Sequence, residues 1–276
     1  MDKQNPATQS WNAKAFYKAT KQSLPFAEDS LDAYSLNLYD SILDLGCGPG
    51  SLSAHMAKKA GKKAKVMAID PSKNMIAFAK GYYQRENLTF RCKALPTTKN
   101  KWDFIFCCNV FPYLPRQQQL DALNVMAQAA VQSKTVPLLL ITAAKTNGPG
   151  LFDRAYASTL SLERWKKLQE VKLDEYYCPH DEQSFTQLAQ ETPWKVTKTS
   201  IQDEFIRFKN VTRLKKFVGS WMGGFAFIAQ LPKDEQKLLL KDLMSEYVKL
   251  QAPAADGSIE WRSPRLIVHA EKPKNS

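Results

Sequence analysis

Apolar residues fall into short continuous runs along this chain, separated by amphipathic stretches. Runs at 41–45, 65–69, 88–92, 102–107 and 136–143 are mostly apolar, as strands buried on both faces require. Between them, 51–60, 72–84 and 117–132 repeat apolar positions at three- and four-residue intervals and predict helices. Strands alternating with helices imply a parallel sheet covered on both sides. Ahead of it, Thr8 to Tyr34 reads as a helical arm, with Phe16, Leu24, Ala27 and Leu31 on one apolar face. Asn147-Gly148-Pro149-Gly150 then breaks the alternation. Beyond it the pattern predicts helices over 152–170 (Phe152, Tyr156, Leu160, Trp165) and 181–190, then strands at 194–201 and 204–208. Helices over 211–222 and 233–250 follow, with Gly223-Gly224 as a flexible joint, and a last strand covers 265–270. The expected architecture is an α/β, doubly wound, mostly parallel seven-stranded sheet. Its core comprises 1–146, 193–208 and 253–276, and helical cap insertions occupy 147–192 and 209–252.

Composition narrows the class. With 276 residues and 44% hydrophobic content, the chain can bury a core without covalent staples. Its five cysteines are an odd number, as expected of reduced thiols, and with His55, His180 and His269 they form no zinc-like spacing. We therefore expect no metal. The Val136–Ala144 stretch is too short to span a bilayer, and Met1–Pro6 lacks the apolar centre of a secretory signal, so the expectation is a cytoplasmic protein. The net charge of +12 admits nucleic acid as a partner. The densest basic cluster, Lys58 to Lys65, however, belongs at the edge of the sheet opposite the one where such folds bind ligands. Arg207, Lys209, Arg213, Lys215 and Lys216 are better placed to attract an acidic substrate.

Three strand ends carry candidate chemistry. Ser41-Ile42-Leu43-Asp44-Leu45-Gly46-Cys47-Gly48-Pro49-Gly50 runs from a strand into a G-x-G-x-G turn. There side chains at Gly46 or Gly48 would block close approach of a ligand to the backbone. The spacing is one residue shorter than a dinucleotide fingerprint, and the preceding Asp44 suits a cationic, phosphate-free ligand better than a diphosphate. About twenty residues on, Asp70 ends the second strand, where a ribose-binding acid belongs. The alternative role, a helix cap, is already supplied by Pro71-Ser72. Asn109 ends the fourth strand, Trp102–Asn109.

These motifs resemble the class I S-adenosylmethionine-dependent methyltransferases over nearly the whole chain, which implies their Rossmann-like fold. The similarity is greatest to the carboxylate group acting on trans-aconitate, juvenile hormone acid and malonyl carrier protein. It rests on Trp11-Asn12, Phe16-Tyr17, Val211–Lys215 with Trp221, Asp256-Gly257 and Ser263–Val268. The resemblance implies that Asp44, Gly46, Cys47, Gly48 and Gly50 line the methionine part of S-adenosylmethionine, and that Asp70 holds its ribose. It also implies that Met75 and Pro71 flank the adenine, that Asn109 borders the sulfonium, and that Tyr17 reaches in from an arm packed over the cofactor. Where such enzymes carry an acidic adenine contact, this chain has Cys92-Lys93-Ala94-Leu95-Pro96, so the backbone of Lys93 or Ala94 would replace it. Relatives orient the carboxylate with a glutamine and a His-Trp pair; here Ser23 beside Gln22, and Pro112-Tyr113, stand in those places.

The expected reaction is O-methylation of a small or carrier-bound acid, releasing S-adenosylhomocysteine. A carboxylate is ionised at neutral pH and needs no base. Catalysis is then positioning, with Tyr113 orienting the acceptor and Trp221 and Arg207 assisting. His180 could serve as a base for another acceptor or as a turn residue. The rival readings are methylation of tRNA, rRNA or protein through a basic groove, and a cofactor-binding protein without turnover. Asn109-Val110-Phe111-Pro112-Tyr113 only loosely matches the tetrapeptide of enzymes that methylate amino groups, which disfavours the first rival.

Overall fold

The computed structural model describes residues 11–95, 101–171, 177–222 and 225–274. The arm forms two helices, α1 (Ala13–Thr20) and α2 (Leu24–Asp32), joined by a 3-10 turn at Lys21–Ser23. Asn12 caps α1 by accepting the Ala15 N–H at 3.0 Å. Pro25 in the first turn of α2 explains the interruption, because proline starts a helix more readily than it continues one. The core then runs β1 (Ser41–Leu45), α3 (Ser51–Ala60), β2 (Lys65–Asp70), α4 (Lys73–Tyr82), β3 (Leu88–Cys92), β4 (Phe104–Cys108), α5 (Arg116–Ala129) and β5 (Val136–Ala143). After it come α6 (Leu151–Leu160), α7 (Glu182–Gln190), β6 (Lys195–Phe208), α8 (Val211–Met222), α9 (Ala226–Ala229), α10 (Lys233–Leu250) and β7 (Ile259–Lys272).

The sheet order is β3-β2-β1-β4-β5-β7-β6. Strands β1 to β5 are parallel, and β7 inserts antiparallel between β5 and β6. One sheet face buries Leu43, Ile105, Leu138 and Leu266 under α5 and α7. The other buries Ile42, Phe104, Phe106 and Leu139 beneath the arm and α3. Burying each such side chain contributes about 1.5–3 kcal/mol.

Arg265 of β7 lies beside Ala143, the last residue of β5, and opposite Gln202 of β6. Beyond that level Asp203–Phe208 pair with Ile259–Pro264 alone. A two-stranded ribbon therefore rises roughly 20 Å above the sheet's C-terminal edge, at about 3.3 Å per residue. Ile206, Phe208, Ile259 and Trp261 on one of its faces pack with Leu214, Phe217, Leu239 and Leu243 of the cap helices. The cap is thus rooted on strands of the sheet itself.

Several expected boundaries change. The strands at 194–201 and 204–208 are one, β6, because Gln202-Asp203 is strand rather than turn: Asp203 receives a hydrogen bond from Arg262 at 2.7 Å. The last strand begins at Ile259 rather than Arg265; Pro264 lacks an N–H but still accepts the Ala144 N–H at 2.9 Å. The helix expected over 152–170 divides into α6 and a 3-10 turn at Glu163–Leu168. Helix α7, placed in the cap by sequence, buries Phe185, Leu188 and Ala189 in the sheet core. Thr8–Ser10, Pro96, Gly223-Gly224 and 275–276 lie outside the described residues.

Lys58 and Lys59 close α3 and Lys65 opens β2, at the end of the sheet opposite Asp70. Among the described residues no helix is long and apolar enough to cross a membrane. No His, Cys, Asp and Glu cluster among them suits a metal, and the cysteines form no disulfide among the described residues.

Candidate active site

The turn after β1 is held by its neighbours in the sheet. The N–H groups of Gly46 and Cys47 both donate to the Ile69 carbonyl, at 2.8 and 3.0 Å. Gly46, Gly48 and Gly50 have φ of 73°, 51° and 87°, the left-handed region that glycine enters without strain. Their surroundings differ. A Cβ on Gly46 would lie 2.0 Å from Val110 Cγ2, and one on Gly50 would lie 2.7 Å from the Phe90 ring, so protein side chains fill both places. A Cβ on Gly48 would meet nothing within 4 Å. The expectation that Gly46 is kept bare for a ligand is therefore corrected: Val110 occupies its space, and Gly48 is the glycine that opens outward.

Asp70 closes the turn from the other side. One carboxylate oxygen accepts the Gly48 N–H at 3.0 Å and the other the Ser72 N–H at 2.8 Å. Burial raises its pKa, and the two backbone donors pull it back down. Ser72 itself caps α4 by accepting the Met75 N–H at 3.3 Å, so Asp70 is not spent as the helix cap. Asp44 is 2% exposed, takes a 2.5 Å hydrogen bond from Ser53 Oγ, and is pushed by burial up to about 7. Burial likewise raises the Cys47 thiol well above its ordinary value.

Met75 is buried in α4, and Pro71 is half-buried beside the Cys92 thiol, which reaches its carbonyl at 3.3 Å. Lys93 and Ala94 are exposed just beyond β3. The Lys93 N–H already donates to the Asp70 carbonyl at 3.0 Å, so that group is spent and the proposed backbone contact passes to the Lys93 carbonyl or to Ala94. Tyr17 does not reach the glycine turn. Its ring packs on Phe78 and Tyr82 of α4, with its hydroxyl 3.2 Å from that of Tyr82. The arm residue that contacts Tyr113 is Trp11. Its carbonyl accepts from Asn74 at the start of α4, its ring stands 6.5 Å edge-on to Tyr113, and with Asn12, Ala13 and Asn74 it lines a cleft of about 330 Å³. Helix α1 packs against both α4 and α8, closing the arm across this side of the sheet.

Asn109 has φ 56°, the one left-handed non-glycine among the described residues, where the chain turns sharply out of β4. Its Oδ1 accepts from Arg265 Nη1 at 2.9 Å. Arg265 also donates Nε and Nη2 to Glu204 Oε2, at 2.8 and 2.6 Å, in a pair whose side chains are 12% and 5% exposed. Glu204 Oε1 is buried with no partner. Burial is the largest influence and alone would lower the Arg265 pKa, but the charge and hydrogen bond of Glu204, together with Cys108 and Tyr177, outweigh it and the net shift is upward. Sequence reading missed both residues: Arg265 sat inside a recognised stretch, but only the antiparallel register of β7 carries it to Asn109.

Tyr113 is half-buried, and burial pushes its hydroxyl up to about 12 against the opposing charge of Arg265. Its ring contacts Tyr177 and Phe225. Trp221 joins the same aromatic group through Phe225. Arg207 does not: near the ribbon tip it pairs with Asp256 at 2.8 Å and Ser258 at 3.1 Å, five residues past Gln202. His180 is held by side chains of α5 and α7. Its ring nitrogens engage Gln119 Oε1 at 2.8 Å and Ser184 Oγ at 3.2 Å, and burial lowers its pKa.

Residues 42–132 match a family model described as a methyltransferase domain. The chain is 34% identical over 87 residues to N-demethylindolmycin N-methyltransferase of Streptomyces griseus, an alignment covering 32% of this chain and about a third (33%) of that relative. Among solved structures, YcgJ of Bacillus subtilis superposes with a TM-score of 0.56 at 15% identity, over 92% of this chain and 99% of its own. The [4+2]-cyclase SpnF superposes with a TM-score of 0.51 at 16% identity, over 85% and 75%. Residues 42–132 are thus similar to a methyltransferase domain, within a doubly wound, Rossmann-like fold.

Proposed function

We propose that this protein is an S-adenosylmethionine-dependent methyltransferase that methylates a carboxylate of a small or carrier-bound acid. The observation that carries the cofactor assignment is the turn at Gly48: it opens onto free space while Asp70, anchored by its N–H, stands beside it. A cofactor lying there meets Asp44, Cys47 and Gly48 along its amino-acid portion, and Asp70 at its ribose. Each Asp70 oxygen has a second lone pair for a ribose hydroxyl. Pro71, Met75 and the chain at Lys93–Ala94 border the adenine, and Asn109 the sulfonium. The bound cofactor supplies a methyl group already activated by positive sulfur.

What remains for the chain is to bind, orient and exclude water. The arm and the ribbon-borne cap close over the sheet edge, and Asn109 and Tyr113 lie where the acceptor must approach. Such fixing of two reactants is worth several kcal/mol of barrier. An ionised carboxylate attacks without a base, which fits a site whose one nearby histidine, His180, is held by Gln119 and Ser184. The presence of a cyclase on the same fold means that the site must carry the reaction assignment.

Incubation with methyl-labelled S-adenosylmethionine, a panel of carboxylic acids and total tRNA tests the reading. Label in an acid, as a base-labile ester, supports it. Label in tRNA transfers the assignment to a basic groove, and binding of cofactor without transfer to any acceptor would leave a cofactor-binding protein.

A further inference from the structure

We infer that Arg265, together with the hydroxyls of Tyr113 and Tyr177, forms the acceptor-orienting donor set, and that the acceptor it fits is a carboxylate on a planar aromatic skeleton. The inference rests on the methyltransferase reading for its location and deepens it by naming the substrate class. Three observations on separate elements converge. First, a guanidinium carries five N–H donors; Nε and one each from Nη1 and Nη2 engage Glu204 and Asn109, which leaves two without a described partner. Those two belong to a cation fixed at the C-terminal edge of β5, beside the left-handed Asn109. Second, neither the Tyr113 nor the Tyr177 hydroxyl bonds to a described residue, and the Arg265 charge acts on both phenols. Third, these rings meet edge-on at 5.9 Å and both contact Phe225, while Trp11 approaches Tyr113 from the arm. Donors of one kind within walls of aromatic rings suit an acceptor-only, planar anion: carboxylate oxygens take the N–H and O–H groups, and the attached ring stacks or meets the walls edge-on.

Stability gives a weak account of the same residues. A buried ion pair is commonly no better than apolar side chains of similar volume, and this one leaves Glu204 Oε1 bare. Glu204 instead holds the guanidinium in place, so that its remaining N–H groups face a fixed direction. Glu204 is thus a positioning residue and Arg265 the group that touches substrate.

The test titrates benzoate, and separately its neutral counterpart benzamide, into the full chain with and without S-adenosylhomocysteine, following tryptophan fluorescence and heat. Wild type is compared with Arg265→Lys, Arg265→Gln and the double variant Arg265→Gln/Glu204→Gln, which removes both charges and so avoids stranding one of them. We expect wild type to bind benzoate at least tenfold more tightly than benzamide. That preference should disappear in the folded double variant and partly return in Arg265→Lys. Equal affinity for the two probes, no benzoate binding, or unchanged benzoate binding in the double variant would overturn the inference. The heat of S-adenosylhomocysteine binding reports on the cofactor reading separately, so the loss of either reading is recognised on its own.

Discussion

Asp70 and Gly48, twenty-two residues apart, are joined by a hydrogen bond of 3.0 Å from the Gly48 N–H to the Asp70 carboxylate. That bond ties the end of β2 to the turn after β1, while the second oxygen of Asp70 holds the Ser72 N–H at the start of α4. An acid in this place shapes the turn before any ligand arrives. Asp70→Asn puts an amide donor where one N–H needs an acceptor. Losing a hydrogen bond to a charged group should lower stability by about 1.5–3 kcal/mol, read as a lower midpoint in urea, together with weakened cofactor binding.

The glycines should separate into two kinds. Gly46→Ala meets Val110 at 2.0 Å and should destabilise the fold strongly, with partial rescue by Val110→Ala. Gly48→Ala has open space and suffers only the left-handed backbone cost of about 1–2 kcal/mol. Melting temperatures of the three variants check the order.

Asp44 gives a pH signature. Its folded pKa, raised from 3.8 to about 7 by burial, lies above its unfolded value, so the folded chain binds the proton more tightly. Stability without ligand should therefore fall as pH rises from about 4 to about 7, by a few kcal/mol. Affinity for S-adenosylhomocysteine, whose ammonium favours the ionised acid, should rise over the same window. Asp44→Asn should flatten both curves in denaturant and calorimetric titrations.

Glu204→Gln leaves the Arg265 charge buried and uncompensated. A loss of about 3–5 kcal/mol is expected, with Arg265→Gln/Glu204→Gln less damaging than the two single changes added together. A double-mutant cycle in urea measures the coupling.

The five parallel strands were legible because sheets covered on both faces demand continuous apolar runs, and Ile42, Phe104 and Leu139 satisfy that locally. The ribbon was not. Above the sheet edge, strands alternate between a face packed on the cap and one left in water, so Asp203 and Pro264 read as breaks although both lie within strands. The turn after β1 was legible from its glycines and from Asp70 at the end of β2, since a left-handed turn and a strand end are set by neighbours in sequence. Arg265, Glu204 and Trp11 depend on strand register and on where the arm folds back, which spacing does not encode. Tyr17 shows the same limit: the arm was readable as a helix, but Phe78 and Tyr82 decide which neighbour its ring meets.

The central claim is that a cofactor occupies the space beside Gly48. Calorimetric titration of S-adenosylmethionine into wild type and Gly48→Ala, with melting curves for both, tests it most directly. The account predicts one molecule bound per wild-type chain and at least tenfold weaker binding in a Gly48→Ala protein that still melts cooperatively. No binding by wild type, or equal binding by the two, would contradict it.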